Sequence, residues 1–498
     1  MRLKLPLAII AFLLVLNSCK KDNHDPQPIK NNPPPAVVSF TIANILQSNM
    51  VIQRNKPLMV WGTAKAASSI TVNASWLTNA VTTKANASGV WTVSVNVGGA
   101  NTSAQTITVS SANSKSISLT NILIGDVWVC SGQSNMVMQV DAISPFQGVT
   151  NYQSEIAAAN YPNIRALTLQ SDYENNPVDT LTNPASWVVC SPQTAGDISG
   201  VAYYFARKLN MDLNVPVGII VSAVDGTSCE AWTSQASFTA NPYLVDYSNI
   251  NHATQLYNGM ISPLKNLLIT GFIWYQGENN KNNNPVSDYT KLNSALIAGW
   301  RTAFNQGNLP FYLVQMPPFA QDYFTTTPVG GDLTADSYAK FREAQANVLN
   351  VPNTGMAITM DVGDPANQHP PDKKPVGERL ALLAEKNTYN QTVQCYGPQF
   401  SAYAINNNTA TISFKNGSGL NTIGNQPLKQ YFFIAGNSQN FIKASAQIIN
   451  DQVVVTAPAG FTSPIVAIRY AFTDAPVTNL QNSAGLPMEP FRTDNWGD

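Results

Sequence analysis

The segment Asp126-Val-Trp-Val-Cys-Ser-Gly-Gln-Ser134-Asn-Met runs from an apolar stretch into small residues and presents one serine there. A hydroxyl is a poor nucleophile until a base takes its proton, so the serine needs a partner. The chain offers three histidines. His24 lies in a polar, proline-rich stretch, and His252 sits in Asn-Ile-Asn-His-Ala-Thr with no apolar strand leading into it. His369 follows the run Gly355-Met-Ala-Ile-Thr-Met-Asp361, which reads as a buried strand, and precedes Pro370-Pro371 and an expected helix over 376–386. Strand, loop, helix is the order that delivers reactive groups to the carboxyl end of a parallel sheet. Ser134 as candidate nucleophile and His369 as candidate base are therefore the pair that the sequence brings forward.

The elements that must hold this pair are legible as continuous apolar runs. Val127–Cys130, Val217–Val224, Phe272–Tyr275, Phe311–Met316 and Met356–Asp361 have the composition of parallel strands covered on both faces. Between them, Val201, Tyr204, Phe205, Lys208 and Leu209, and then Tyr289, Leu292, Leu296, Trp300 and Phe304, recur at helical spacing, with Ser287 or Asp288 able to cap the second helix. An α/β fold follows: a three-layer αβα domain with a five-stranded parallel sheet over 119–395. Residues 37–118 alternate apolar and polar with frequent Gly, Asn and Ser, which reads as a β-sandwich. Strands return over 396–498 as a C-terminal β region.

Several segments together carry a resemblance. Trp128-Val-Cys-Ser-Gly-Gln-Ser-Asn-Met136, Asp225-Gly-Thr-Ser-Cys-Glu-Ala-Trp-Thr-Ser234, Leu256-Tyr-Asn-Gly-Met-Ile-Ser-Pro-Leu264, Trp274-Tyr-Gln-Gly-Glu-Asn-Asn280, Phe341-Arg-Glu-Ala-Gln345 and His369-Pro resemble the sialate O-acetylesterase family of SGNH-type serine esterases. The resemblance runs from about residue 40 to the end. It implies an SGNH-like catalytic domain that removes acetyl esters from sugars with neither a metal nor an organic cofactor.

An oxyanion hole needs donors aimed at the oxygen that becomes negative. The Ser134 N–H is one, and Gly226 offers a second because a residue without Cβ lets backbone approach the substrate. The family carries two glycines at that loop, whereas this chain has Asp225 in place of the first. By resemblance, Gln276 supplies the third donor, with Asn280 as the alternative. Glu278 either holds that loop or touches substrate. Related esterases carry an aspartate two or three residues before the histidine, where this chain has Asn367 and Ala366. Asp364 is the acid expected to fold back onto the ring; otherwise a backbone carbonyl or Asn367 orients it, and a slower Ser-His dyad results.

The first residues frame where the chain works. Met-Arg-Leu-Lys, an apolar run over Leu5–Leu16 and Asn17-Ser18-Cys19 form the pattern of a bacterial lipoprotein signal over 1–19, with Cys19 carrying lipid. Residues 20–36 are Lys, Asp, Asn and Pro with little to bury, a flexible tether. This places the chain outside the cytoplasm as an outer membrane lipoprotein, facing either the periplasm or the cell surface. Charged residues make up 11% of the chain and formal net charge is −1, which sets nucleic acid aside as a partner. The remaining cysteines lack metal-ligand spacing, and buried free thiols are expected at Cys130 and Cys190. Two alternatives stay open: the same chemistry on acetylated xylan or pectin, or a carbohydrate-binding lipoprotein whose hydrolase site has decayed.

Overall fold

The computed structural model describes residues 39–281, 283, 285–320 and 336–496. The leader, Cys19 and the tether lie outside the described residues. Within them, no helix is long and apolar enough to cross a membrane.

The chain begins with short strands whose alternate residues point inward. In Ser69–Ala74, Ile70, Val72 and Ala74 are buried while Ser69 and Asn73 are exposed, the period of a sheet with one wet face. Thr41–Ile42, Leu58–Thr63 and Val90–Val95 form one small sheet. Ser69–Ala74, Val81–Lys84 and Asn101–Ser111 pair in a second and lead into Ile117–Gly132.

That 16-residue strand is the spine of the molecule. Its first part pairs antiparallel with Asn101–Ser111, and its second part lies between Val217–Ala223 and Gly271–Tyr275, parallel to both. The burial pattern changes with the neighbours: from Ile122 to Gly132 every residue is buried, as a strand covered on both faces demands. The expected boundary near residue 118 therefore falls inside one continuous strand.

The central sheet is mixed, which corrects the expectation of five parallel strands. In spatial order Tyr161–Thr168, Val217–Ala223, Ile117–Gly132, Gly271–Tyr275, Phe311–Val314 and Thr354–Ala357 run parallel, and Val188–Cys190 adds an antiparallel edge. Tyr161–Thr168 escaped the apolar-run criterion because Pro162, Asn163 and Arg165 interrupt its apolar residues. Alternate residues of each strand feed two cores. Trp128, Cys130, Ile273 and Tyr312 pack with Val201, Tyr204 and Leu380 on one face. Val129, Phe272, Trp274 and Phe311 pack with Leu292, Leu296 and Trp300 on the other.

Chain order reverses at the spine: the next parallel strands lie to one side of it and the later ones to the other. The carboxyl end of Ile117–Gly132 is thus the crevice of an open α/β sheet, where ligands bind. A seven-stranded sheet follows over 399–492. It is fastened to the catalytic region by Arg342, which is buried and donates to the carbonyls of Met316, Pro317, Thr473 and Asp474. Cys130, Cys190, Cys229 and Cys395 are buried free thiols.

Candidate active site

The spine ends at Gly132, whose φ is +140° and whose Cβ, were there one, would lie 2.1 Å from the Tyr275 carbonyl oxygen. Only glycine makes this corner without strain. One residue later the Gln133 N–H donates to that same carbonyl, and Ser134 opens a short helix over Ser134–Val137. The sharp turn from strand to helix presents the serine hydroxyl at the crevice with its backbone locked.

His369 reaches it from the far end of the sheet. Its Nε2 lies 2.8 Å from Ser134 Oγ, within hydrogen-bond reach for proton transfer. Phe146 meets the imidazole edge-on, with ring centroids 5.1 Å apart. Desolvation first, and the nearby Lys373 charge second, lower the His369 pKa to about 4, against a smaller opposing contribution from Asp225. The ring is accordingly neutral at ordinary pH, the state a general base requires.

Asp364 forms no hydrogen bond with the ring: its Oδ1 accepts from the Ala366 N–H, closing a local turn. Asn367 also turns to backbone, its Oδ1 accepting from the His369 N–H at 2.9 Å. The His369 loop is instead tied from behind. Asn135 Nδ2 donates to the Gln368 carbonyl at 3.0 Å and to Glu278, while Asn135 Oδ1 accepts from Lys373 Nζ.

The expected oxyanion donors divide. Gly226 has φ +65° and open space where a Cβ would stand. Gln276 is fully buried, its Nε2 donating to the Asn280 side chain and the Thr227 carbonyl and its Oε1 accepting from Tyr289. Asn280 is equally committed, accepting from the Cys229 N–H and donating to Glu230. Both amides are buried and bonded within the loop. Asn279 between them is exposed; its Nδ2 donates one hydrogen to the Gly226 carbonyl at 2.6 Å, which leaves the second N–H for an oxyanion. Glu278 is buried, and its Oε1 accepts from Asn135 Nδ2.

A cavity of about 290 Å³ is bordered by Val137, from the helix that Ser134 opens, and by Asp225, whose charge acts on His369, although neither Ser134 nor His369 lines it. Gln139, Gln170, Ser171 and Asp197 give it a polar wall, with no Lys or Arg among the described lining residues.

The family model described as "carbohydrate esterase, sialic acid-specific acetylesterase" matches residues 124–383, a span that contains every group above. The chain belongs to that family. This esterase is 27% identical to the sialate O-acetylesterases of Pongo abelii and Homo sapiens, over 92% of its own length and 93% of theirs. Among solved structures it is similar to a carbohydrate acetylesterase from Xanthomonas citri, with 32% identity, a TM-score of 0.80, and coverage of 92% of this chain and all of that one.

Sequence reasoning on the esterase missed Asn135, Asn279, Lys373 and Phe146. Asn135 and Asn279 stand next to residues that were singled out, but nothing in composition says which of two adjacent amides faces a crevice. Lys373 carried no signal, because its burial depends on a loop whose path no periodicity reports.

Proposed function

We propose that this carbohydrate esterase removes O-acetyl groups from sugars through Ser134 and His369. The 2.8 Å contact between Ser134 Oγ and His369 Nε2 carries the reading. His369 takes the hydroxyl proton as Ser134 Oγ bonds to the acetyl carbon. The backbone N–H groups of Ser134 and Gly226, with the Asn279 amide, receive the carbonyl oxygen as it becomes negative. Protonated His369 then gives its proton to the departing sugar oxygen, leaving acetyl-Ser134, and a water activated by the same imidazole releases acetate. With no carboxylate bonded to the ring among the described residues, the imidazolium gains less stabilisation, and the reading is a Ser-His dyad of modest rate.

The substrate reading favoured by the adjoining cavity is a neutral glycan. Asp197 and Asp225 line it without a basic side chain, so a sialate carboxylate entering there meets like charge, while sugar hydroxyls find acceptors and amides. A serine-directed phosphonate and p-nitrophenyl acetate turnover test the chemistry: labelling is expected at Ser134, and labelling elsewhere would reject it. Acetate release from acetylated xylan, set against O-acetylated sialic acid, tests the substrate, with Asp225→Asn expected to narrow the preference.

The N-terminal and C-terminal β regions are proposed as domains flanking the catalytic one, the first joined to it through the shared strand Ile117–Gly132, and Cys19 as the lipid anchor to the outer membrane. Cys19→Ala should move the protein from the membrane fraction to the soluble one; undiminished membrane retention would remove the anchor from the account.

A further inference from the structure

Two fully buried charges stand behind the dyad without a part in acyl transfer. Lys373 and Glu278 are 1% and 4% exposed. Taking either out of water alone costs several kcal/mol, so a buried pair survives only where hydrogen bonds satisfy it. Here one side chain satisfies both. Asn135 Oδ1 accepts from Lys373 Nζ at 2.5 Å, and Asn135 Nδ2 donates to Glu278 Oε1 at 2.5 Å. The same nitrogen donates to the Gln368 carbonyl at 3.0 Å.

Asn135 follows the nucleophile, Glu278 lies in the loop after Gly271–Tyr275, and Gln368 precedes the base. The chain of bonds therefore ties three loops of the site at one point. We propose that Lys373, Asn135 and Glu278 form a buried positioning relay that holds the His369 loop against Ser134, taking over the orienting task that an acid before the histidine performs in related esterases. This rests on the Ser134–His369 reading above.

An amide alone could bridge two loops, but it would be free to rotate. A cation on its oxygen and a carboxylate on its nitrogen fix which end points where, because either charge would be left facing its own kind if the amide turned over. The Lys373 ammonium also lies 5.4 Å from the Tyr275 ring centroid, a second constraint on its position.

The groups facing His369 are Lys373, which lowers its basicity, and Asp225, which raises it. Those facing Lys373 are Glu278 and Asp372, both of which favour its charged form against burial, leaving its pKa at about 7. Lys373 is thus protonated across the range in which His369 titrates. Removing its charge should make His369 easier to protonate, and the acid limb of the rate profile should move to higher pH.

The test uses the full chain with p-nitrophenyl acetate, with active sites counted by phosphonate titration. Lys373→Met should lower kcat per titrated site by about 100-fold, as loss of reactant alignment does, with a smaller change in KM. It should also move the acid limb of kcat/KM up by roughly one pH unit. Asn135→Asp keeps the acceptor for Lys373 but loses the donor to Gln368 and Glu278, and should cost a similar factor; it decides the matter if Lys373→Met does not fold. Unchanged kcat per titrated site in either folded variant, or a fall in titratable sites with kcat and acid limb both unmoved, would overturn the relay as a positioning device. Phosphonate labelling away from Ser134 in wild type would instead reject the dyad on which the relay rests.

Discussion

The two halves of the reactive pair are held by different physics. Ser134 stands on backbone: a strand buried on both faces, a glycine corner against the Tyr275 carbonyl, and a helix that begins at the serine itself. His369 stands on side chains: its loop follows Thr354–Ala357 at a distance, with Asn367, Asn135 and Phe146 as the contacts that fix it. A site assembled on regular elements is specified by hydrophobic pattern, which many sequences satisfy. A loop held by side-chain bonds is specified by individual residues, so it is where relatives can diverge and where single substitutions should alter the rate without altering the fold.

The sharpest way to break this contrast begins at the serine. Ser134→Ala should remove esterase activity by at least about 10³-fold while leaving the thermal transition in place, because the strand, corner and helix contain no bond that needs the hydroxyl. A large loss of stability would mean that the nucleophile is also structural, and the two halves would no longer differ. Next in size is Asn279→Ala, expected to lower kcat by about 10²-fold as an oxyanion donor is lost. If Gln276→Ala in a folded variant lowered kcat by far more than Asn279→Ala at the same thermal stability, the buried amide and not the exposed one would be the donor.

The pH profile sharpens the histidine half. With the His369 pKa lowered to about 4 by desolvation and Lys373, kcat/KM should be flat above pH 5 and fall as the ring is protonated below pH 4. The same shift has a stability consequence of fixed sign. An unfolded chain binds the proton near the ordinary value of about 6.5, so folding opposes protonation and stability falls as pH drops from there toward 4. An acid limb near pH 6.5 would indicate a ring that is more solvated, or paired with an acid, in the working enzyme.

How much could be read from the chain follows the same division. The meeting of Ser134 with His369, the positive φ of Gly226 and most of the parallel strands were legible because each rests on an apolar run or a glycine at a corner. The strand Tyr161–Thr168 was not, since a proline and an arginine interrupt its pattern, and with it went the width of the sheet. The partners of His369 were not legible either. Asp364 and Lys373 are both charged residues within a few positions of the histidine, and only the path of the loop decides that one closes a surface turn while the other is buried behind the ring.

The smallest expected effect bears hardest on that decision. Asp364 accepts from the Ala366 N–H through Oδ1, and an asparagine oxygen at the same place accepts equally well, so Asp364→Asn preserves the turn. Because no bond joins this carboxylate to the imidazole, loss of its charge should change kcat/KM by no more than about 3-fold, the scale of a partly exposed charge acting through solvent. A triad acid behaves otherwise: its amide favours the wrong ring tautomer and fails to stabilise the imidazolium, at a cost of about 10⁴-fold. The two outcomes are separated by orders of magnitude, so one substitution suffices. A fall of 10²-fold or more, with the thermal transition unmoved, would mean that the loop swings Asp364 onto His369 during turnover, and the histidine half would then be held by an acid after all.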